Sequence, residues 1–234
     1  PIAGEGSRFL AAGYTFPKPL IEVFQKPMIQ IVIENLSIEA NFIYLIRKEH
    51  DDKYNISSLL KAITPNCKII HVDKLTEGAA CTTLLAKNYI NNDNSLLIAN
   101  SDQFIEWNSS KTLYELKSKH YDGGILVFNS IHPKWSYAKT DKDEIVTEVA
   151  EKIVISNNAT VGIYFWKKGS EYVKYANQMI SKGLRVNNEF YVCPVFNEAI
   201  KDNKIIKIKK IDKMWGLGTP EDLDYFQKNF KGVI

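Results

Sequence analysis

Residues 95–102 read Ser-Leu-Leu-Ile-Ala-Asn-Ser-Asp. A short apolar run between polar residues is typical of a strand that is buried on both faces of a sheet. Three polar residues follow the run directly, and Asp102 is the last of them. We therefore predict a central strand over 95–99 that presents Asp102 at its carboxyl end.

Helical and strand-like patterns alternate on both sides of this run. Apolar residues recur at helical spacing after Pro27, and Thr219 before Pro220 is typical of an N-cap and a first helical position. The predicted helices cover 29–36, 53–63, 77–89, 170–182, 191–201 and the segment from Pro220 onward. The predicted strands cover 42–46, 68–72, 123–128, 145–149, 161–166 and 204–209, the last as a lysine-rich edge strand.

Strands that alternate with helices favour an α/β fold, here a Rossmann-like, mostly parallel sheet flanked by helices. Such sheets bind ligands beyond the carboxyl ends of their strands, which points to Asp102 and to the glycine-rich opening of the chain. The length of 234 residues fits a single domain over 1–234.

Composition excludes several classes of protein. A hydrophobic fraction of 45% with 24% charged residues is that of a globular chain, and the net charge of +3 is too small to predict a nucleic-acid surface. No apolar run approaches the roughly 18 residues of a membrane helix. The three scattered cysteines fit a reducing compartment. We expect a cytoplasmic protein without nucleic-acid or membrane partners, and a homo-oligomeric state is left open.

The opening segment 4–9 reads Gly-Glu-Gly-Ser-Arg-Phe, and 17–20 reads Pro-Lys-Pro-Leu. Two glycines let backbone N–H groups approach a phosphate closely, and Arg8 and Lys18 supply positive charge around it. The glycine pair alone fits a plain turn equally well, because Phe9 stands where a Rossmann loop has its third glycine. The coincidence of both segments is much more specific.

This order of motifs, completed by a Lys-Pro-Met helix start at 26–28, resembles the signature of the sugar-phosphate nucleotidyltransferases, also called nucleoside-diphosphate-sugar pyrophosphorylases. The resemblance covers nearly the whole chain. It implies a GT-A-like fold with a nucleotide-binding half at about 1–115 and a smaller acceptor-binding lobe within about 116–234. It assigns catalytic contacts with the phosphates to Arg8 and Lys18. In the glycine-rich loop, the resemblance assigns contacts with the nucleotide to Ala3, Gly4, Gly6 and Ser7.

Asp102 is predicted to bind Mg²⁺, because a carboxylate is a suitable ligand for this ion and the family has a metal-binding Asp at such a strand end. The alternative is a structural Asp that caps a turn. Residues 215–221 resemble the family segment Trp-x-Asp-x-Gly-Thr-Pro-Glu, but Gly216 stands where many members have a second metal-binding Asp. Either one protein carboxylate suffices, or another acid such as Asp212 or Glu189 replaces it.

Two further segments resemble substrate-binding parts of the family. Glu77 and Gly78 match the segment that recognises the nucleobase, although the proline usual upstream is absent, and a tight strand-to-helix turn is the alternative. Glu151 and Lys152 match the acceptor segment, in which Glu holds sugar hydroxyls and Lys meets the acceptor phosphate. The alternative for this pair is a solvated charge pair at a strand end.

The resemblance implies transfer of a nucleoside monophosphate from a nucleoside triphosphate to a sugar 1-phosphate or similar small acceptor, with release of pyrophosphate, for surface polysaccharide synthesis. Arg8, Lys18, Lys152 and Mg²⁺ at Asp102 would supply the electrostatic stabilisation. One alternative is a glycosyltransferase, but the Asp-x-Asp pair expected for it is missing at 102–104. Another is a regulatory subunit that binds nucleotide without catalysis, which Gly216 would suit.

Overall fold

Groups of helices alternate with groups of strands along the chain, and the longest group comprises four consecutive strands over residues 123–166. The computed structural model describes residues 1–4 and 6–232. The helices in these ranges are α1 Ser7–Ala11, α2 Met28–Leu36, α3 Lys48–Tyr54, α4 Ile56–Ile63, α5 Ala79–Leu84, α6 Lys87–Ile90, α7 Ser109–Ser118, α8 Gly169–Ser181, α9 Val195–Lys201 and α10 Pro220–Asn229, with a 3-10 turn at Lys18–Leu20. The strands are β1 Glu22–Val23, β2 Lys26–Pro27, β3 Ile43–Arg47, β4 Lys68–Val72, β5 Leu96–Ala99, β6 Gln103–Glu106, β7 Gly123–Asn129, β8 Ser136–Thr140, β9 Val146–Glu151, β10 Asn158–Trp166, β11 Ile206–Lys210 and β12 Lys213–Gly216.

The chain packs into two compact units. The first consists of Pro1–Leu75, Asn100–Glu106 and Lys213–Ile234, and the second of Thr76–Ala99 and Trp107–Asp212. The organisation as one domain with two functional halves stays a prediction. None of the helices within the described ranges has the length and hydrophobicity needed to cross a lipid bilayer.

A pair of parallel strands forms one core of the first unit. β3 and β4 pair along their whole length, and Ile2 adds a parallel bridge to Ile46. The chain between the two strands runs through α3 and α4, because parallel neighbours need a crossover connection. The buried residues of this core are Ile2, Ile29, Ile33, Tyr44, Ile46, Ile56 and Leu60.

An antiparallel pair and the last helix form a second core of the first unit. β12 pairs with β6, which sets Trp215 opposite Phe104. Leu223 and Phe226 of α10 belong to the same buried cluster. The prediction for the start of α10 is confirmed, since the Thr219 side chain accepts a hydrogen bond from the backbone N–H of Asp222 and Pro220 follows the cap.

Within the described residues, the second unit contains a six-stranded sheet in the order β11-β7-β10-β8-β9, with β5 also paired to β10. β11 runs parallel to β7, and the other named pairs in this sheet are antiparallel. The α/β class is confirmed, with sheet pairings in both directions. The predicted strand over 95–99 is confirmed as β5.

Three predicted helices have different bounds in the structure. The helix predicted over 53–63 is divided at Asn55, whose left-handed φ of 51° ends α3. The one predicted over 77–89 is divided into α5 and α6. The helix predicted over 191–201 begins only at Val195, with Pro194 at its N-cap. Residues 191–193 are thereby left outside the helix.

The start of α8 shows how closely two backbones approach in the second unit. A Cβ atom at Gly169 would lie 2.0 Å from the carbonyl oxygen of Ile90. We expect Gly169→Ala to lower the free energy of unfolding by about 2–3 kcal/mol, because the helix start must move to relieve this overlap. Gly4→Ala is the matched control, since nothing lies within 4 Å of that position. Denaturant unfolding followed by circular dichroism would show the difference, and equal midpoints for both variants would contradict it.

Candidate functional site

Lys18 and Asp102 meet in the first unit, although they lie 84 residues apart in the sequence. The Nζ atom of Lys18 donates to Oδ2 of Asp102 over 2.9 Å, with the side chains 23% and 28% exposed. Lys18 is the first residue of the 3-10 turn, with Pro17 before the turn and Pro19 within it, and Asp102 lies between β5 and β6. Two residues predicted from separate motifs are therefore in direct contact.

Two glycines leave room around this ion pair. Gly6 has a left-handed φ of 66°, and a Cβ atom there would lie 3.3 Å from Cβ of Lys18. A Cβ atom at Gly218 would lie 2.9 Å from Oδ2 of Asp102. The backbone N–H of Leu217 donates to the Asp102 carbonyl over 2.8 Å. The glycine-rich loop, the 3-10 turn, the β5–β6 link and the β12–α10 link thus converge on Lys18 and Asp102.

The remaining residues predicted for the nucleotide loop differ in exposure. Ala3 is buried, whereas Gly4 and Ser7 are exposed. Arg8 lies on α1 with its side chain exposed, while Phe9 anchors the helix in the core. The structure gives the side chain of Arg8 no hydrogen-bond or ion-pair partner among the described residues. Its guanidinium is therefore available to an anion.

A second carboxyl group, that of Asp222, lies against Gly216 at the end of β12. A Cβ atom at Gly216 would lie 3.2 Å from Cγ of Asp222, so this carboxyl group fills the space of a side chain at 216. Trp215 and Leu217 are buried in the core, and successive residues of an extended strand face opposite sides. Gly216 ends β12 and lies on the face of the strand opposite to Trp215, and Gly216 and Gly218 each have a carboxyl group against them.

The carboxyl groups of Asp102 and Asp222 are ligands of the type that Mg²⁺ prefers. Proteins usually bind this ion through one or two carboxylates, while substrate phosphates and water complete the coordination shell. No group of three or more His, Cys, Asp or Glu side chains in the described ranges is placed to hold a metal ion by itself. Asp222 was not identified from the sequence as a site residue. The acids weighed there as replacements, Asp212 and Glu189, are both exposed.

In the second unit, Gly78 packs against the backbone of Phe190. Gly78 has a φ of 128°, and a Cβ atom there would lie 2.5 Å from the Phe190 carbonyl oxygen. The Phe190 N–H donates to the Glu77 carbonyl over 2.8 Å, and the Ala80 N–H donates to the Phe190 carbonyl over 2.9 Å. This close approach explains why position 78 is a glycine. The role of Gly78 in base recognition stays a prediction.

Side chains of a hairpin turn at residues 185–190 also contact the segment that contains Glu77 and Gly78. Arg185 forms an ion pair with Glu77, and its guanidinium carbon lies 4.1 Å from the centroid of the Phe190 ring. The turn itself contains Asn187 and Asn188, both with positive φ, as tight hairpin turns require. Glu77 and Gly78, which are predicted to recognise the nucleobase, are thus held in place by contacts with residues 185–190.

Glu151 and Lys152, at the end of β9, have different environments. Glu151 is only 7% exposed and accepts a hydrogen bond from Ser136, so it is not a solvated charge. Burial raises the pKa of this carboxyl group above its ordinary value. Lys152 has a left-handed φ of 57°, and its Nζ donates to the Tyr191 hydroxyl over 2.6 Å. Tyr191 was also missed in the sequence, because its place in this site depends on a contact with Lys152, which is 39 residues away.

Comparison with known proteins connects these observations. The sequence model described as nucleotidyl transferase matches residues 2–227. The bifunctional protein GlmU of Methanocaldococcus jannaschii is 25% identical over 252 residues, which cover 99% of this chain and 55% of that protein. Mannose-1-phosphate guanyltransferase of Aspergillus oryzae is 27% identical over 172 residues, which cover 70% and 47%. The chain spans about half the length of these curated relatives.

A solved structure shows the same fold. The nucleoside-diphosphate-sugar pyrophosphorylase of Vibrio cholerae RC9 superposes with a TM-score of 0.83 at 23% identity, covering 98% of each chain. The predicted resemblance, made from short motifs, is therefore confirmed at the level of the whole fold.

The burial of Glu151 predicts a pH-dependent stability. Because its pKa is raised on folding, the folded state binds more protons just above the ordinary pKa, and stability falls as pH rises through that window. We expect Glu151→Gln to remove this decline, so that the variant gains stability relative to wild type as pH rises above the ordinary pKa of a glutamate carboxyl group.

Unfolding free energies at several pH values test this expectation. Glu148→Gln is the matched control, since Glu148 is exposed on the same strand, and it should follow the wild-type curve. A Glu151→Gln curve parallel to wild type would show that ionisation of this buried carboxyl has no cost in the folded state.

Proposed function

The chain belongs to the nucleotidyl transferase family, and we propose that it transfers a nucleoside monophosphate group from a nucleoside triphosphate to a sugar 1-phosphate or a similar small phosphorylated acceptor. Pyrophosphate is the leaving group. The observation that carries the proposal is the contact of Lys18 with Asp102 beside Gly6. A cation, a carboxylate and a glycine turn are the groups that a metal-bound triphosphate requires.

The chemistry needs no general base. A phosphate monoester with a second pKa near 6 is mostly dianionic at neutral pH, so its oxygen can attack the α-phosphorus directly. The difficulty is to hold two anions in line while charge builds on the leaving pyrophosphate, which is a task of positioning and electrostatics. We assign Arg8 to the developing charge of the leaving group and Lys18 to the triphosphate oxygens.

The proposed Mg²⁺ would be held by Asp102, with Asp222 as the second carboxylate in place of the missing side chain at Gly216. When bound, the ion neutralises charge on the phosphate oxygens. Lys18 holds the Asp102 carboxylate in place through their ion pair. The two carboxylates would leave the remaining coordination positions to phosphate and water.

Residues of the second unit are assigned to the base and the acceptor. Glu77 and Gly78 are proposed to contact the nucleobase, and their attachment to Phe190 supports a rigid position. Glu151, buried and hydrogen-bonded to Ser136, is proposed to hold sugar hydroxyls. Lys152 is proposed to bind the acceptor phosphate.

The names of the relatives supply the substrate class. One relative is a mannose-1-phosphate guanyltransferase, and one structural neighbour is a nucleoside-diphosphate-sugar pyrophosphorylase. We extend from these names a sugar 1-phosphate acceptor. The cytoplasmic location and the role in surface polysaccharide synthesis are proposed from the sequence alone.

Pyrophosphate release is the direct test of the proposed reaction. The chain is incubated with Mg²⁺, each of the common nucleoside triphosphates and a panel of hexose 1-phosphates. Pyrophosphate that appears only with a matched pair, together with the nucleotide sugar, supports the proposal. Binding of triphosphate without turnover would instead indicate a regulatory subunit, and transfer only from a preformed nucleotide sugar would indicate a glycosyltransferase.

We expect Arg8→Ala and Asp102→Asn each to lower kcat by about 10²-fold or more, because Arg8 is assigned to the charge of the leaving group and Asp102 would hold the metal ion. Both side chains are at least partly exposed, so thermal melting should stay close to that of wild type. Lys61→Ala is the control, since it removes an exposed cation of the first unit. Wild-type turnover by either variant would remove that residue from the mechanism.

Metal binding can be measured apart from activity. With Mn²⁺ as a paramagnetic probe, we expect Asp102→Asn and Asp222→Asn each to weaken binding by about tenfold or more, since each removes one anionic ligand. Asp224→Asn, two residues away on α10 and paired with Lys228, is the matched control. Unchanged Mn²⁺ affinity in Asp222→Asn would assign the site to a single protein carboxylate.

A further inference from the structure

The two consecutive residues Phe190 and Tyr191 contact two separate predicted sites of the second unit. The backbone of Phe190 is hydrogen-bonded to Glu77 and Ala80, which enclose Gly78. The side chain of Tyr191 is hydrogen-bonded to Lys152. One short stretch of chain therefore joins the segment assigned to the nucleobase to the cation assigned to the acceptor phosphate.

Tyr191 fixes the Lys152 ammonium by two different interactions. The Tyr191 hydroxyl accepts a hydrogen bond from Nζ at 2.6 Å, and the same Nζ lies 4.6 Å from the centroid of the tyrosine ring. A free lysine side chain has large rotamer entropy, which such contacts remove before any ligand arrives. The backbone of Lys152 is also constrained, since its left-handed φ is unusual for a residue with a side chain.

The charge of Lys152 is not neutralised by this arrangement. Its partner is a neutral hydroxyl, and the ammonium has no ion pair with a carboxylate among the described residues. Lysine carries three N–H donors, of which Tyr191 takes one. Two donors and the full charge are therefore left for an anion, in contrast to Lys18, which is paired with Asp102.

The position of Tyr191 is itself set by its neighbours. Phe190 is held by two backbone hydrogen bonds and by the Arg185 guanidinium over its ring. On the other side, Val192 and Cys193 are buried. The tyrosine ring is thus carried on a backbone that cannot shift without breaking the contacts around Gly78.

We propose that Tyr191 is the positioning residue for the acceptor: it orients the ammonium of Lys152 toward the acceptor phosphate, and Phe190 ties this orientation to the nucleobase segment. The inference rests on the proposed function. It requires the tyrosine hydroxyl specifically, because a phenylalanine would keep the ring contact and the packing but lose the hydrogen bond.

Steady-state kinetics of Tyr191→Phe test the proposal, with the nucleoside triphosphate and hexose 1-phosphate pair that supports wild-type turnover. We expect the KM for the hexose 1-phosphate to rise about tenfold, since a hydrogen bond to a charged group is lost. The KM for the triphosphate should stay within about twofold, because the Phe190 backbone is unchanged. Tyr114→Phe is the matched control, since that tyrosine is 73% exposed, and it should behave as wild type.

A double variant separates positioning from general support of the fold. If Tyr191 acts through the ammonium, Tyr191→Phe should add little to the acceptor KM of Lys152→Ala, because the group it positions is already gone. Additive effects would overturn the proposal. A fall in melting temperature with both KM values raised equally would also overturn it, since that result indicates a structural role alone.

The failure of this inference can be distinguished from that of the proposed function. Wild-type turnover with an unchanged acceptor KM in Tyr191→Phe overturns the role of Tyr191 and leaves the reaction intact. Absence of turnover by the wild-type chain with every pair of substrates overturns the reaction, and this inference with it.

Discussion

The ion pair between Lys18 and Asp102 joins the four segments that form the phosphate-facing part of the first unit. Both side chains are partly exposed, and an ion pair in such an environment contributes about 0–1 kcal/mol to stability. Its energetic value for folding is therefore small. The glycines around it, by contrast, are positions where any side chain would push against the pair. The arrangement is better explained by a requirement for accessible charge than by a requirement for stability.

In the second unit, the charged residues Glu151 and Lys152 at the end of β9 do not form an ion pair like that of Lys18 and Asp102. Glu151 is buried at an electrostatic cost and hydrogen-bonded to Ser136, whereas its neighbour Lys152 turns to a tyrosine and keeps its charge. The two adjacent residues of opposite charge form no ion pair with each other among the described residues, although the charge of Lys152 partly offsets the rise in the pKa of Glu151.

Local patterns in the sequence predict local structure well and pairing poorly. The strand over 95–99 and the cap of α10 depend on nearby residues, so they could be predicted. The partner of β5 could not, because its antiparallel pairing with β10 depends on contacts far apart in the chain. Asp222 and Tyr191 were missed for the same reason, since each gains its place in a site only through tertiary contacts with Gly216 and Lys152. Pro194 did carry a usable signal, because a helix rarely continues through a proline.

The interleaving of the two units has a consequence for biosynthesis. The second unit ends at Asp212, whereas the first needs β12 and α10, which follow it in the sequence. Domains generally fold in the order in which the ribosome delivers them, so the second unit can be complete while the first still lacks a strand. Until β12 emerges, the Asp102 carbonyl lacks the N–H group of Leu217. A nascent chain of this protein thus acquires its ordered Asp102 only after β12 and Leu217 have been synthesised.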